Sequence, residues 1–271
     1  MSGHVFHLFR IQIFQPQPNL YEAFPRPEQG IVEILGSSPQ RKLKTRSYYL
    51  KEVEKATADT FIFYFVRTKS LKYRDDDLNE QQLEDHPYVH VLINYKIGLC
   101  AIEVKTDFAK STSTSAILLE KLFYNSPFAE KHQASINISA IRDPEDLISH
   151  IRRASYVRHF FFEVRRPNAS DAADFSQSLK KITLQSNSQK AKTSFNGVDI
   201  DKKVSEELVR SSASTGDDAG ATLKMPHSKR LVRKSLGKNY IHLEWAGDIK
   251  KLKKQLSDRI KEIYHALRQD Q

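Results

Sequence analysis

The stretch GLCAIEVKT, residues 98–106, ends an apolar run in Glu-x-Lys, with Glu103 and Lys105 as its two charges. If residues 97–105 form a strand, alternation puts Leu99, Ala101, Glu103 and Lys105 on one face, so both charges point the same way. A carboxylate and a lysine so placed could build a metal-dependent phosphodiester-cleaving site, in which the carboxylate holds an ion that activates water. That chemistry needs a second carboxylate to complete the oxygen ligands. The preceding segment YVHVLINY has no acid. Asp85, beside Glu84 just ahead of it, is the candidate, and Asp75, Asp76 and Asp77 lie further back in a polar stretch. The other reading is a hairpin strand that leaves the core with two charges at its tip. The missing acid favours it. On this reading there is no catalytic residue, no metal and no cofactor, and Glu103→Ala is a surface change worth no more than ~0.5 kcal/mol.

Other constellations are poorer. There is no Walker sequence, no G-x-G-x-x-G and no G-x-S-x-G, and nine glycines are few for loops that cradle phosphate. The ten histidines are scattered and lack metal spacing such as H-E-x-x-H. His4 and His7 flank the first strand and His86 and His90 bracket the hairpin start, which reads as structural or surface placement. A single cysteine, Cys100, excludes an internal disulfide and a multi-cysteine zinc site, and reads as a small buried apolar residue.

Charge is more informative. Forty-three Lys and Arg oppose 33 Asp and Glu, a net charge of +10. From Lys224 to the end there are thirteen Lys or Arg against five Asp or Glu, so one region holds most of the imbalance. Clustered basic charge is the footprint of a polyanion binder. KMPHSKRLVRKSLGK (224–238) supplies Lys229, Arg230, Arg233 and Lys234. KKLKK (250–254) supplies Lys250, Lys251, Lys253 and Lys254, at the start of a helix whose dipole they oppose. Arg152, Arg153 and Arg158 in IRRASYVRH form a third group. Each alone could be a solvated charged face. Lysine-rich contact with phosphate gives affinity without sequence readout.

Around these residues the pattern predicts an α+β chain. Strands are expected at 5–14, at 59–68 (buried on both faces), as a hairpin over 88–106, at 134–141, over VRHFFFEVRR, and at NYIHLEW. Helices are expected after the hydroxyls of STSTS, after Asp143-Pro144, over SDAADFSQSLKKITLQ, over DIDKKVSEELVRS, and over the C-terminal GDIKKLKKQLSDRIKEIYHALRQ. QPQPNLYEAFPRPEQG, with four prolines, and SASTGDDAGA (212–221) read as loops. In the last helix Ile249, Leu252, Leu256, Ile260, Ile263 and Leu267 form an apolar stripe that reads first as core packing and second as a homodimer seam. The chain divides into a sheet-rich N-terminal domain, 1–110, and a mixed α/β C-terminal domain, 111–271, ending in the basic helix.

With 39% hydrophobic residues, including 15 Phe and 11 Tyr, the chain has enough apolar material for a core. No run approaches a membrane helix and the N-terminus lacks the marks of a signal peptide, so a soluble, cytoplasmic protein without membrane insertion is expected. YVHVLINYKIGLCAIEV, the following LLEKLF, and INISAI leading into EDLISHI form an order of elements over residues 60–165. That order resembles the phage-defence DNA-binding proteins of the RexA and KwaB group. The resemblance implies sequence-nonspecific binding of double-stranded DNA, often as a dimer, in defence without nuclease chemistry. It also implies a partner protein encoded in the same operon. It transfers no binding residue. The functional expectation is therefore a nucleic-acid-binding protein of anti-phage defence. The alternatives are the metal-dependent nuclease using Glu103, Lys105 and Asp85, and a basic face that meets an acidic, DNA-mimicking protein.

Overall fold

A strand that is apolar on both faces must be covered on both, and β1 (His4–Phe14) is such a strand. Phe6 and Leu8 lie in one apolar cluster, and Phe9, Ile11 and Ile13 in another on the opposite face. The computed structural model describes residues 3–14, 25–43, 46–74, 79–165, 190–228, 230–237 and 239–269. In it β1 lies inside an eight-stranded antiparallel sheet. One edge of β1 pairs with β8 (Leu99–Glu103). Its other edge is shared by β14 (His242–Trp245) opposite His4 to His7 and β9 (Ser135–Ala140) opposite Phe9 to Phe14. Beyond β8 follow β7 (Tyr88–Asn94), β4 (Thr60–Arg67), β3 (Arg46–Thr57) and β2 (Gln40–Leu43).

Helices cover both faces of this sheet. The first face carries α1 (Pro27–Gly36), α2 (Thr112–Tyr124) and α3 (Pro127–His132) over Phe63, Phe65, Val91, Cys100 and Ile102. The second face carries α6 (Lys253–Gln269), whose Leu256, Ile260 and Tyr264 pack with Ile249 on Phe6, Leu8, Ile62, Leu92 and Ala101. The C-terminal apolar stripe is thus spent on the sheet, the first of its two readings. Arg10 is fully buried on this second face, and its guanidinium donates to the Tyr264 hydroxyl at 2.7 Å and to the Ile97 carbonyl. It ties β1 to both the hairpin turn and α6.

A second antiparallel sheet runs β11 (Lys190–Asn196), β10 (Tyr156–Arg165), β12 (Ala219–Lys224), β13 (Leu231–Ser235). One of its faces packs on α4 (Glu145–Arg153) and α5 (Lys202–Thr215) through Phe160, Phe162, Ala221, Leu223, Ile148, Ile151 and Val209. A separate two-stranded ribbon pairs β5 (Lys69–Arg74) with β6 (Glu80–Asp85). The architecture is α+β, and no described helix is long and apolar enough to cross a membrane.

Three expectations change. The division at residue 110 cuts through the large sheet, because β9, β14 and α6 from the later sequence complete it. The cause is β1, whose second edge and second face find partners only beyond residue 110. Residues 212–221 are not a loop. α5 continues through Thr215, Gly216 ends it with φ of 76°, and β12 starts at Ala219. The hydroxyls of Ser214 and Thr215 donate back to the Ser211 carbonyl at 3.0 Å, so this Ser/Thr-rich run satisfies itself within a helix. The proline-rich stretch also yields a helix, since Pro27 takes the first position of α1, where its missing N–H costs nothing. Residues 15–24 and the helix expected over 170–185 lie outside the described residues, as do Asp75, Asp76 and Asp77.

The remaining elements follow their local chemistry. Ser111 Oγ accepts from the Thr114 amide at the start of α2. Asp143 accepts from the Glu145 amide at 2.9 Å, just ahead of α4. In the hairpin, Gly98 adopts φ of 64°, the left-handed conformation that the turn before β8 requires.

Candidate functional site

β8 lies between β1 and β7, and these three strands aim one side chain each at the same place. Phe6 sits opposite Glu103 in the β1–β8 pairing, and Leu92 opposite Ala101 in the β7–β8 pairing. Alternation then carries His4, His90 and Glu103 to the same face as Phe6, Leu92 and Ala101, the face that α6 covers further along. Beside the start of α6 these polar groups converge. Glu103 Oε1 accepts from His4 Nδ1 at 2.6 Å, and Oε2 accepts from His90 Nδ1 at 2.7 Å and from the His90 amide at 3.0 Å. Lys105 Nζ lies 3.3 Å from Oε2.

This overturns the reading of Glu103 as a strand-end charge in solvent. Its side chain is 2% exposed. Burial by itself would raise its pKa, but hydrogen bonds from the His90 side chain and amide and from His4 outweigh that, and hold the carboxyl at about 2. Histidines, not a second acid, complete the group around Glu103. The preceding strand supplies no carboxylate, but it does supply His90, and β1 supplies His4. Asp85 is not part of the cluster; it sits in β6, opposite Lys69, on the separate ribbon. Among the described residues, His4, His90 and Glu103 are the group whose potential ligand atoms lie within 4.8 Å of one another.

An aromatic surround continues from the cluster. Lys105 Nζ stands 4.2 Å over the Tyr88 ring, Tyr88 meets Tyr64 edge-on at 4.9 Å, and Tyr64 lies 4.9 Å from the His90 ring. Next to it opens a cleft of about 270 Å³ lined by Glu52, Glu54, Tyr64, His90, Ile249 and Lys250, among others. Residue 52 takes φ of 52°, where the β3–β4 register shifts. That bulge turns Glu52 and Glu54 toward the start of α6.

The basic residues named from the sequence do not form one patch. Lys250 pairs with Glu52 at 3.4 Å and Lys253 with Glu54 at 2.5 Å. The amides of Lys250 and Lys251 donate to Asp248, so a carboxylate offsets the cations there, and Lys250 and Lys251 precede the helix rather than begin it. Lys251 and Lys254 are exposed. Arg152 is engaged by Glu206 at 2.7 Å, and Arg153, at the end of α4, is exposed. Arg230 is exposed and Lys234 half-buried, while Lys229 lies outside the described residues.

Arg233 has a different setting. On β13 it points away from α4 and α5, onto the other face of the second sheet. There its guanidinium lies 5.8 Å over the Phe161 ring, with Lys192 Nζ at 3.9 Å from the same ring. Register adds Lys190 on β11 and Lys224 on β12 to this face. Glu163 is the one carboxylate at these strand positions among the described residues, and Lys190 binds it at 2.5 Å. Gly220 makes room for Phe161, since a Cβ there would come within 2.5 Å of the ring. Sequence reasoning missed Lys190 and Lys192 because they look like isolated lysines outside the basic C-terminal run. The alternation of KAKTSFN, lysines at every second position, was the signal available. The sequence matches no protein-family model and no curated protein, so the likeness to the RexA and KwaB group rests on the order of elements alone.

Proposed function

We propose that the chain binds double-stranded nucleic acid through the face of its second sheet that is turned away from α4 and α5, by charge and without reading sequence. We place that activity in the anti-phage defence that its element order implies. The observation that carries the reading is the grouping of Lys190, Lys192, Lys224 and Arg233 on one sheet face against Glu163, the one acid at these strand positions among the described residues. Lys192 and Arg233 are exposed, as are Ser194, Asn196 and Ser235 beside them, which suits contact with sugar and phosphate. Phe161 is only 4% exposed. Its ring therefore backs the two cations rather than offering a platform for unstacked bases, which favours a duplex backbone over a single strand. Among the described residues Asn196 is the one amide side chain at these strand positions, too few to read base edges, so affinity rests on phosphate charge.

Fluorescence anisotropy with two duplexes of unrelated sequence tests this. Equal affinity for both is expected, with log K falling against log salt at a slope of about −3.6 if the four cations each neutralise one phosphate, at about −0.9 per contact. Lys192→Glu combined with Arg233→Glu should lower affinity at least about tenfold at low salt, since reversal removes two contacts and adds two repulsions. Wild-type affinity in that variant, or binding indifferent to salt, would refute the proposal.

A further inference from the structure

We propose that His4, His90 and Glu103 hold a divalent first-row transition ion of the Zn²⁺ class at the edge of the cleft beside Tyr64. This site shares no residue with the basic face of the second sheet, so either can fail without the other.

The three side chains come from three adjacent strands of a rigid antiparallel sheet, and rigid elements hold metal ligands better than loops do. Their donor atoms already lie within 4.8 Å of one another, and both imidazoles present Nδ1 to the same carboxylate. The two rings are nearly perpendicular, at 82°, with centroids 5.9 Å apart, so their lone pairs approach from different directions. An ion with bonds of ~2.0–2.2 Å needs donors about 3.3 Å apart. The present nitrogen–oxygen separations of 2.6 and 2.7 Å therefore have to open by about 0.6–0.7 Å, while the two nitrogens, which contact different oxygens of the carboxylate and lie within 4.8 Å of each other, close on the ion. Each imidazole binds through the Nδ1 lone pair with its proton on Nε2.

Two nitrogens and one carboxylate suit zinc and its neighbours and do not suit magnesium, which takes oxygen ligands. Among the described residues Lys105 is the one lysine or arginine against the carboxylate; its side chain is 27% exposed and already rests on the Tyr88 ring, so it can leave Oε2 for solvent without losing that contact. Three protein ligands leave a fourth position for water, and His90 lines the neighbouring cleft. This is the ligand set of an ion that works on a bound molecule rather than one that only braces the fold.

The test is isothermal titration of Zn²⁺ into the full chain without a histidine tag, with Co²⁺ absorption as the geometric readout and Mg²⁺ as the control. One Zn²⁺ per chain, a tetrahedral Co²⁺ band and no Mg²⁺ heat are expected. His4→Ala, at a half-buried residue near the start of β1, and Glu103→Gln, which keeps the size of the side chain, should each weaken Zn²⁺ by about 100-fold or more. Circular dichroism on each variant shows that it is folded. No stoichiometric binding, or binding unchanged in both folded variants, would overturn the proposal.

Discussion

Glu103→Ala is expected to be among the more damaging single substitutions in the large sheet, the opposite of what a strand-end charge would give. The carboxylate accepts from the buried His90 amide and ring, and from His4 and Lys105, whose side chains are about a quarter exposed. Water can replace the carboxylate at His4 and Lys105. It cannot readily do so at His90, where the ring is 10% exposed. Two buried donors left without an acceptor cost about 1–3 kcal/mol each. Breaking a buried charged network by removing one partner costs about 3–5 kcal/mol, in the same range. For a chain of this size each kcal/mol lowers Tm by ~2–4 °C, so a fall of roughly 10 °C is expected in a thermal melt followed by circular dichroism. Glu84→Ala, on the exposed ribbon strand β6, serves as the control and should stay within ~0.5 kcal/mol of wild type. If Glu103→Ala melts as the control does, the carboxylate is not the buried hub described and the reasoning fails.

Phe63→Ala should cost about 3–5 kcal/mol, because Phe63 is 1% exposed and α1–α3 close over its face; Phe61→Ala, only partly buried, should cost markedly less in the same denaturant titration. Tyr264→Phe should destabilise by about 1–3 kcal/mol, since it removes the hydroxyl that accepts from the fully buried Arg10; an unchanged urea midpoint would speak against that link. Asp59 is partly buried, which would raise its pKa, but hydrogen bonds from Lys261 and Thr57 outweigh this and hold it well below the usual carboxylate range. A depressed folded pKa contributes stability above the ordinary aspartate value of ~3.9 that is lost as pH falls below it. Lys261→Met should therefore flatten the loss of stability between about pH 4 and pH 2, and an identical acid limb in the two proteins would contradict the pairing. Reversing Lys250, Lys251, Lys253 and Lys254 together should lower the melting temperature, since it sets new carboxylates against Glu52 and Glu54; confining the change to Lys251 and Lys254 should leave the melt within ~0.5 kcal/mol of wild type.

Much of the fold was legible because local signals and tertiary demand agree. The unbroken apolar run of β4, the turn ahead of Gly98, Asp143 before α4 and the stripe of α6 all point to the structures they form. Long-range pairing was not legible. Nothing within residues 4–14 says that β1 takes β9 and β14 on one edge, and those strands are what undo a boundary at residue 110. The same ignorance hid the carboxylate cluster. Glu103 could be placed on a face from its alternation, but that His4 arrives beside it depends on β1 pairing with β8 across 99 residues. The basic run misled for a related reason. Lys250, Lys253 and Arg152 stand out by density along the chain, yet the acids that meet them lie on β3 and α5, remote in sequence. Lys192 is inconspicuous in sequence and becomes notable only when β10 sets it beside Arg233.

Photo-crosslinking of a bromouridine-substituted DNA duplex to the full chain, followed by mass spectrometry of the attached peptides, tests the central claim most directly. The account predicts crosslinks in residues 190–196 and 230–235, the strands that carry Lys192 and Arg233. Crosslinks confined to residues 250–254 or 152–153, or none under conditions where anisotropy detects binding, would contradict it.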